Sequence, residues 1–368
     1  MTPEPARARV AALGRDIVMR ATLLHAPRDV RLETVPDPAV RRPGDAVVEV
    51  VAACICGSDL WPYRGVSPVT EPRRIGHEFV GIVREVGPDV RTVRPGQFVI
   101  APFAFSDGTC PACRHGVQTS CLHGGFWGST NSEGVSADGA QGEYVGVPLA
   151  DGTLVGLDDA PDPELVPDLL TLSDVMSTGH HAAFTAGVRP GSSVVVVGDG
   201  AVGLSGVLAA RRLGAERIVA MSRHAPRQAL AQQFGATDVL PERGAEGVAR
   251  VRDLFEGLGA DVVLECVGTA ESMQQAIASA RPGGTVGYVG APYGDAETLA
   301  VRPLFNRNVS LAGGVAPARR YIPELLADVL AGSLRPGAVF DLELPLADVA
   351  EGYAAMDTRR AVKTLLRP

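Results

Sequence analysis

Ser193-Val-Val-Val-Val-Gly198-Asp199-Gly200-Ala201-Val202-Gly203 is the stretch that decides how this chain folds. An unbroken run of valines reads as a strand buried on both faces, and the following AVGLSGVLAARRLGA reads as a helix. The glycines sit at the junction with the spacing G-x-G-x-x-G. In a dinucleotide-binding unit the first permits a tight turn and the second lets backbone approach a pyrophosphate. The third lets helix and strand pack closely, with the helix N-terminus facing the phosphates. Alone, the spacing is common in glycine-rich chains; placed between a strand and a helix it makes Gly198, Gly200, Ala201, Val202 and Gly203 a cofactor loop.

The same rhythm continues downstream. RIVAM (217–221), PRQALAQQFGA (226–236), ADVVLECVG (260–268), ESMQQAIASARPGG (271–284) and TVGYVGAP (285–292) alternate short apolar runs with helical stretches. That alternation predicts a doubly wound parallel sheet with helices on both faces, assigned to residues 168–310. Pro226 stands where a first helical residue would, and Gly214 and Gly235 where helices would end. Upstream, DAVVEVVAA (45–53), HEFVGIVREVG (77–87) and QFVIAPFA (97–104) are β-branched runs punctuated by Gly, Pro and Asp. They predict a mainly β domain over 19–167. Residues 1–18 carry no sustained apolar core and read as a leader, with Met19 opening the folded unit. Periodicity leaves open whether 311–368, ending in the strand AVKTLL, extends the second domain or returns to the first.

The end of the second parallel strand selects the cofactor. An acid about twenty residues after the glycine loop would bind the ribose 2′-hydroxyl of NAD. Here the strand ends in Ser222-Arg223-His224, with Arg227 one turn later, so no carboxylate is expected to repel a 2′-phosphate. Two guanidiniums favour NADP over NAD. The alternative is that both arginines are solvated surface charges.

Asp107, Cys110, Cys113 and Cys121 are separated by two, two and seven residues in one loop. Three thiolates and a carboxylate can close a tetrahedral shell, which reads as structural zinc, with His115 and His123 near enough to substitute. Cys56-Gly57-Ser58-Asp59, Gly76-His77-Glu78 and Asp174 carry further ligand types, but they are too dispersed for spacing to unite them.

Together, CGSD, GHE, the cysteine loop, the stretch around SDVMSTGHHAA, GDGAVG and the terminal VKTLL make residues 19–368 resemble the zinc-containing medium-chain alcohol dehydrogenases. The resemblance implies a GroES-like catalytic domain joined to a Rossmann domain, with 311–368 returning to the former. It implies a catalytic zinc on Cys56, His77 and Asp174, with Asp59 orienting His77 and Glu78 beside the metal. Ser58 would carry the proton, and Lys363 would sit on the cofactor pyrophosphate. Asp107 replaces a cysteine common in the family, and Trp61 stands where many members have a proton-relaying histidine. Ser222-Arg223 resembles the NADP-dependent branch. The activity implied is hydride transfer between NADP(H) and a small alcohol, aldehyde or ketone, with two zinc ions per subunit in a homodimer or homotetramer. NAD-dependent formaldehyde or polyol oxidation on the same fold is the alternative. Trp61, Phe126 and Trp127 would line a substrate wall or pack in the core.

Composition bounds the rest. With 368 residues, 46% apolar and 21% charged, the chain has room for about two domains. A formal charge of −8 argues against phosphate-backbone partners, and no apolar run reaches membrane-spanning length. Six cysteines in so long a chain suggest reduced thiols and a cytoplasmic setting. A zinc-ribbon binding module would leave the dinucleotide loop unexplained. A non-catalytic NADP-binding sensor would not need Cys56, Ser58, His77 and Asp174 together. Lys363 is the only lysine.

Overall fold

The structure is a computed structural model that describes residues 18–292 and 299–368. The leader assigned to 1–18 lies outside them apart from Val18, which opens the first strand.

The cofactor half is a six-stranded parallel sheet. Its strands run Asp238–Leu240, Arg217–Met221, Ser193–Val197, Ala260–Glu265, Ala280–Tyr288 and Ser310–Gly313 across the sheet, so chain order reverses at the central strand. The strand Ser193–Val197 shows why a valine run was needed. Val194 and Val196 face one apolar cluster, Val195 and Val197 the other, and none is more than 1% exposed. Burying each contributes roughly 1.5–3 kcal/mol. The helix Ala201–Arg212 follows at once, with Gly200 as its extended cap residue. Gly198 has φ +118°, and a Cβ on Gly203 would lie 2.0 Å from the Gly198 carbonyl oxygen, so neither position accepts a side chain. A Cβ on Gly200 would meet nothing within 4 Å, which leaves open space over the helix start.

The other half is a seven-stranded sheet centred on Ala46–Cys54, which pairs antiparallel with Phe79–Val86, with Tyr144–Val147 and with the terminal strand Lys363–Arg367. Phe340–Pro345 joins the edge in parallel to Lys363–Arg367. The C-terminal return starts later than residue 311. Ser310–Gly313 still belongs to the parallel sheet, and Tyr321, Ile322, Leu325 and Val329 of the helix Ala318–Leu330 pack into the same apolar cluster as Val194. The chain rejoins the antiparallel sheet only from Phe340. Among the described residues no helix is long and apolar enough to cross a membrane.

Candidate active site

The dispersed donors meet where the two halves touch. Cys56 follows the strand Ala46–Cys54, and its backbone N–H donates to Asp59 Oδ2 at 3.0 Å, closing the CGSD turn. His77 enters after Gly76, whose φ of +97° and packing against Gln141 require the missing Cβ: one would fall 2.4 Å from Gln141 Cγ. Asp174 precedes the helix Val175–Thr185 without capping it. Its Oδ1 accepts from the Thr178 hydroxyl at 2.7 Å, leaving Oδ2 to face the others.

Cys56 Sγ lies 3.6 Å and His77 Nε2 3.4 Å from Asp174 Oδ2. These separations are long for hydrogen bonds. They match a tetrahedral zinc, whose bonds of about 2.0–2.3 Å put ligand atoms roughly 3.3–3.8 Å apart. Burial raises the Cys56 thiol above its ordinary range, His77 pulls it down, and Asp174 and Glu78 push it up again. A bound cation would reverse that balance, so the donor set fits a metal. Behind it a polar chain runs into the core. Asp59 Oδ1 lies 3.4 Å from His77 Nδ1, Gln141 Nε2 donates to Asp59 Oδ2 at 3.3 Å, and the Tyr353 hydroxyl donates to Gln141 Oε1 at 3.0 Å. Gln141 and Tyr353 were missed from sequence, being single polar residues outside any motif. Ser58 is half-buried in the same turn as Cys56.

Glu78 belongs to this donor group, and its carboxylate is already occupied. Oε1 accepts from Lys363 Nζ at 2.7 Å and Oε2 faces the Cys54 thiol at 3.2 Å. The structure thus places the Lys363 ammonium, expected near the cofactor pyrophosphate, buried on Glu78 and the Ile55 carbonyl.

The second group brings Asp107, Cys110, Cys113 and Cys121 within 4.8 Å of one another. Cys110 and Cys121 sulfurs stand 3.8 Å apart, again a ligand spacing. Asp107 Oδ1 accepts from the backbone of Thr109 and Cys110 at 2.7 and 2.9 Å, so this acid both closes the loop and stands among the thiols. Burial and the neighbouring sulfurs push the Cys113 thiol up, a state a cation would relieve. His115 is absent from the cluster, and His123 turns Nδ1 to Glu133 at 2.8 Å, with Nε2 3.8 Å from Asp107.

The aromatic expectations divide. Trp127 is core: it is buried, donates to the Pro102 carbonyl at 2.8 Å and packs edge-on against Phe79. Phe126 is exposed and stacks on Phe103, which meets the His77 ring edge-on at 6.4 Å. Phe103, missed from sequence, is an apolar ring beside the donor His77, and Trp61 is half-buried.

At the other end of the cofactor loop the structure overturns one expectation. A carboxylate does stand beside Ser222: Asp199, from within the loop, accepts from the Ser222 hydroxyl at 2.8 Å and lies 3.3 Å from Arg227. Arg223 is exposed.

Comparison with known proteins agrees with this architecture. Residues 42–158 match the alcohol dehydrogenase GroES-like domain and 201–331 the zinc-binding dehydrogenase domain. A probable zinc-binding alcohol dehydrogenase of Mycobacterium tuberculosis is 37% identical over 95% of this chain and 89% of its own. The structure of an alcohol dehydrogenase from Thermus sp. ATN1 superposes with a TM-score of 0.87 at 35% identity, covering 95% of this chain and 99% of that one. A putative zinc-binding dehydrogenase from Sinorhizobium meliloti 1021, solved bound to NADP, gives 0.78 at 27% identity over 96% and 100%. The chain belongs to the zinc-containing medium-chain alcohol dehydrogenase family. It is an oxidoreductase with a nicotinamide-cofactor fold and zinc-binding character.

Proposed function

We propose that the protein interconverts a small alcohol and its aldehyde or ketone with NADP(H), using one catalytic and one structural zinc. The carrying observation is the convergence of Cys56, His77 and Asp174 at ligand spacing beside Ser58, in a chain whose parallel sheet opens on GDGAVG. A bound zinc would supply a Lewis acid at the substrate oxygen and the nicotinamide would carry the hydride. The chain's own residues do the rest. Asp59 holds His77 by its second ring nitrogen, and Thr178 fixes the Asp174 carboxylate. Ser58 Oγ relays the proton, accepting it from the alcohol as it passes its own to solvent water in oxidation and running the relay backward in reduction, while Phe103 and Phe126 keep one wall apolar.

Preference for NADP is supported by Ser222, Arg223 and Arg227 at the strand end and by the NADP-bound relative. The six free cysteines favour a reducing, cytoplasmic setting. A homo-oligomer is favoured by the open edge of Ser310–Gly313 and by Val301 and Phe305 beside it, 64% and 79% exposed. The test is zinc content combined with oxidation of NADPH and NADH across a panel of aldehydes and ketones. Two zincs with NADPH-preferring turnover are expected; zinc-loaded protein inert on the whole panel would refute the reading. In Arg223→Ala, NADPH should weaken roughly 10-fold or more while NADH stays nearly unchanged.

A further inference from the structure

Asp199 lies between the glycines of the cofactor loop, at a position whose side chain the fingerprint leaves free. Its two oxygens are surrounded by donors. Ser222 Oγ donates to Oδ2 at 2.8 Å, Arg227 Nη1 stands 3.3 Å from Oδ1, and Arg243 Nη2 stands 3.9 Å from Oδ2. Ser222 is wholly buried and Arg227 and Arg243 expose 12% and 26% of their side chains, so this is a formed cluster and not a surface encounter. Arg243 Nε is buried with no hydrogen-bond partner among the described residues, which leaves an N–H for a ligand to satisfy. Burial pushes the Arg243 guanidinium down and Asp199 opposes that, while the charges of Arg223 and Arg359 push it down further. The acid missing from the end of Arg217–Met221 is thus supplied by the loop, against the same Ser222.

We propose that Asp199 sets the cofactor selectivity of this site. With a cofactor ending in a free ribose 2′-hydroxyl, Asp199 keeps its arginines and accepts from the sugar. With a 2′-phosphate, it yields Arg227 and Arg243 to the phosphate, and its own charge then opposes the nearly doubly charged group. The carboxylate therefore narrows the NADP preference that the arginines create and keeps NAD usable. This rests on the reading of Ser222 to Arg227 as the adenosine end of the cofactor site.

The experiment is fluorescence titration of NADPH and NADH into wild type, Asp199→Ala and Asp199→Asn, with 2′-AMP and 5′-AMP as competing probes of that end alone. In Asp199→Ala, NADPH and 2′-AMP should tighten and NADH weaken, moving the affinity ratio roughly tenfold or more toward NADPH. Asp199→Asn keeps an acceptor oxygen, so NADH should hold within about threefold of wild type while NADPH still tightens. Equal weakening of both cofactors, or an unchanged ratio, overturns the inference and assigns Asp199 to loop shape alone. Wild type that prefers NADH, with variants still shifting toward NADPH, would leave the inference standing and remove the NADP preference instead. Wild type that prefers NADPH with an unmoved ratio would do the reverse.

Discussion

Lys363 donates to Glu78 across 2.7 Å at a place where neither side chain meets water, their exposures being 1% and 0%. The pair joins the terminal strand to the strand that follows His77, directly behind the metal donors. Removing one member of a buried ion pair leaves an uncompensated charge and costs about 3–5 kcal/mol. Lys363→Met should lower the stability of the zinc-loaded protein by that amount in urea unfolding. Adding Glu78→Gln should recover most of it, because the stranded carboxylate is gone. A double variant no more stable than the single one would mean that Lys363 stabilises by packing.

Metal removal should separate the two donor groups. Metal analysis of wild type should return two zincs per chain. Cys113→Ser should lose one and lower the melting temperature, because a closed site contributes folding energy directly. Cys56→Ser should leave the melting temperature closer to wild type and abolish turnover. Fully active protein carrying one zinc would end the two-site assignment.

Ser58→Ala should reduce turnover by roughly 100- to 10,000-fold, the usual cost of losing a positioned acid–base group, with NADPH affinity almost unchanged. The informative measurement uses deuterated cofactor, so that hydride transfer is known to limit the rate. Unchanged turnover under that condition would send the proton by another route.

His180 gives the acid limb of stability its expected shape. It is 1% exposed in the helix Val175–Thr185, and burial, then the nearby Arg212 and His181, lower its pKa from 6.5 to about 4. Glu324 Oε1 lies 2.9 Å away but out of line for a hydrogen bond, and Asp328 pulls the other way. The folded ring is neutral, so the unfolded chain binds the extra proton first. Stability should therefore fall as pH drops below 6.5 and stop falling on this account near 4. The loss at pH 5 should be about 2 kcal/mol. His180→Gln should be weaker at pH 7 yet lose less between pH 7 and 5. Parallel melting curves for the two proteins across that range would contradict the assignment.

What sequence made legible follows from how each feature is encoded. The valine run, the glycine loop and the cysteine loop are contiguous, so local period and spacing carry them. Cys56, His77 and Asp174 were united only through family resemblance, because strand pairing brings them together and no spacing records it. Gln141 and Tyr353 lie in segments whose pattern says nothing polar is needed, and only the buried chain from Tyr353 to His77 gives them a purpose. Asp199 was in plain view, but the fingerprint concerns glycines and is silent on the residue between them. Lys363 was given a role only through family resemblance, and its ion pair with Glu78 had no local signal, because the antiparallel pairing of Leu365 with Cys54 is what turns the terminal strand toward that carboxylate.

The burial of Lys363 also governs how this protein can be handled as a reagent. No ε-amine stands on the folded surface of these 368 residues, so activated esters and aldehydes have no lysine to couple to while the native state persists. Acylation of that one side chain would instead mark molecules that have opened, turning an ordinary labelling chemistry into a clock for unfolding.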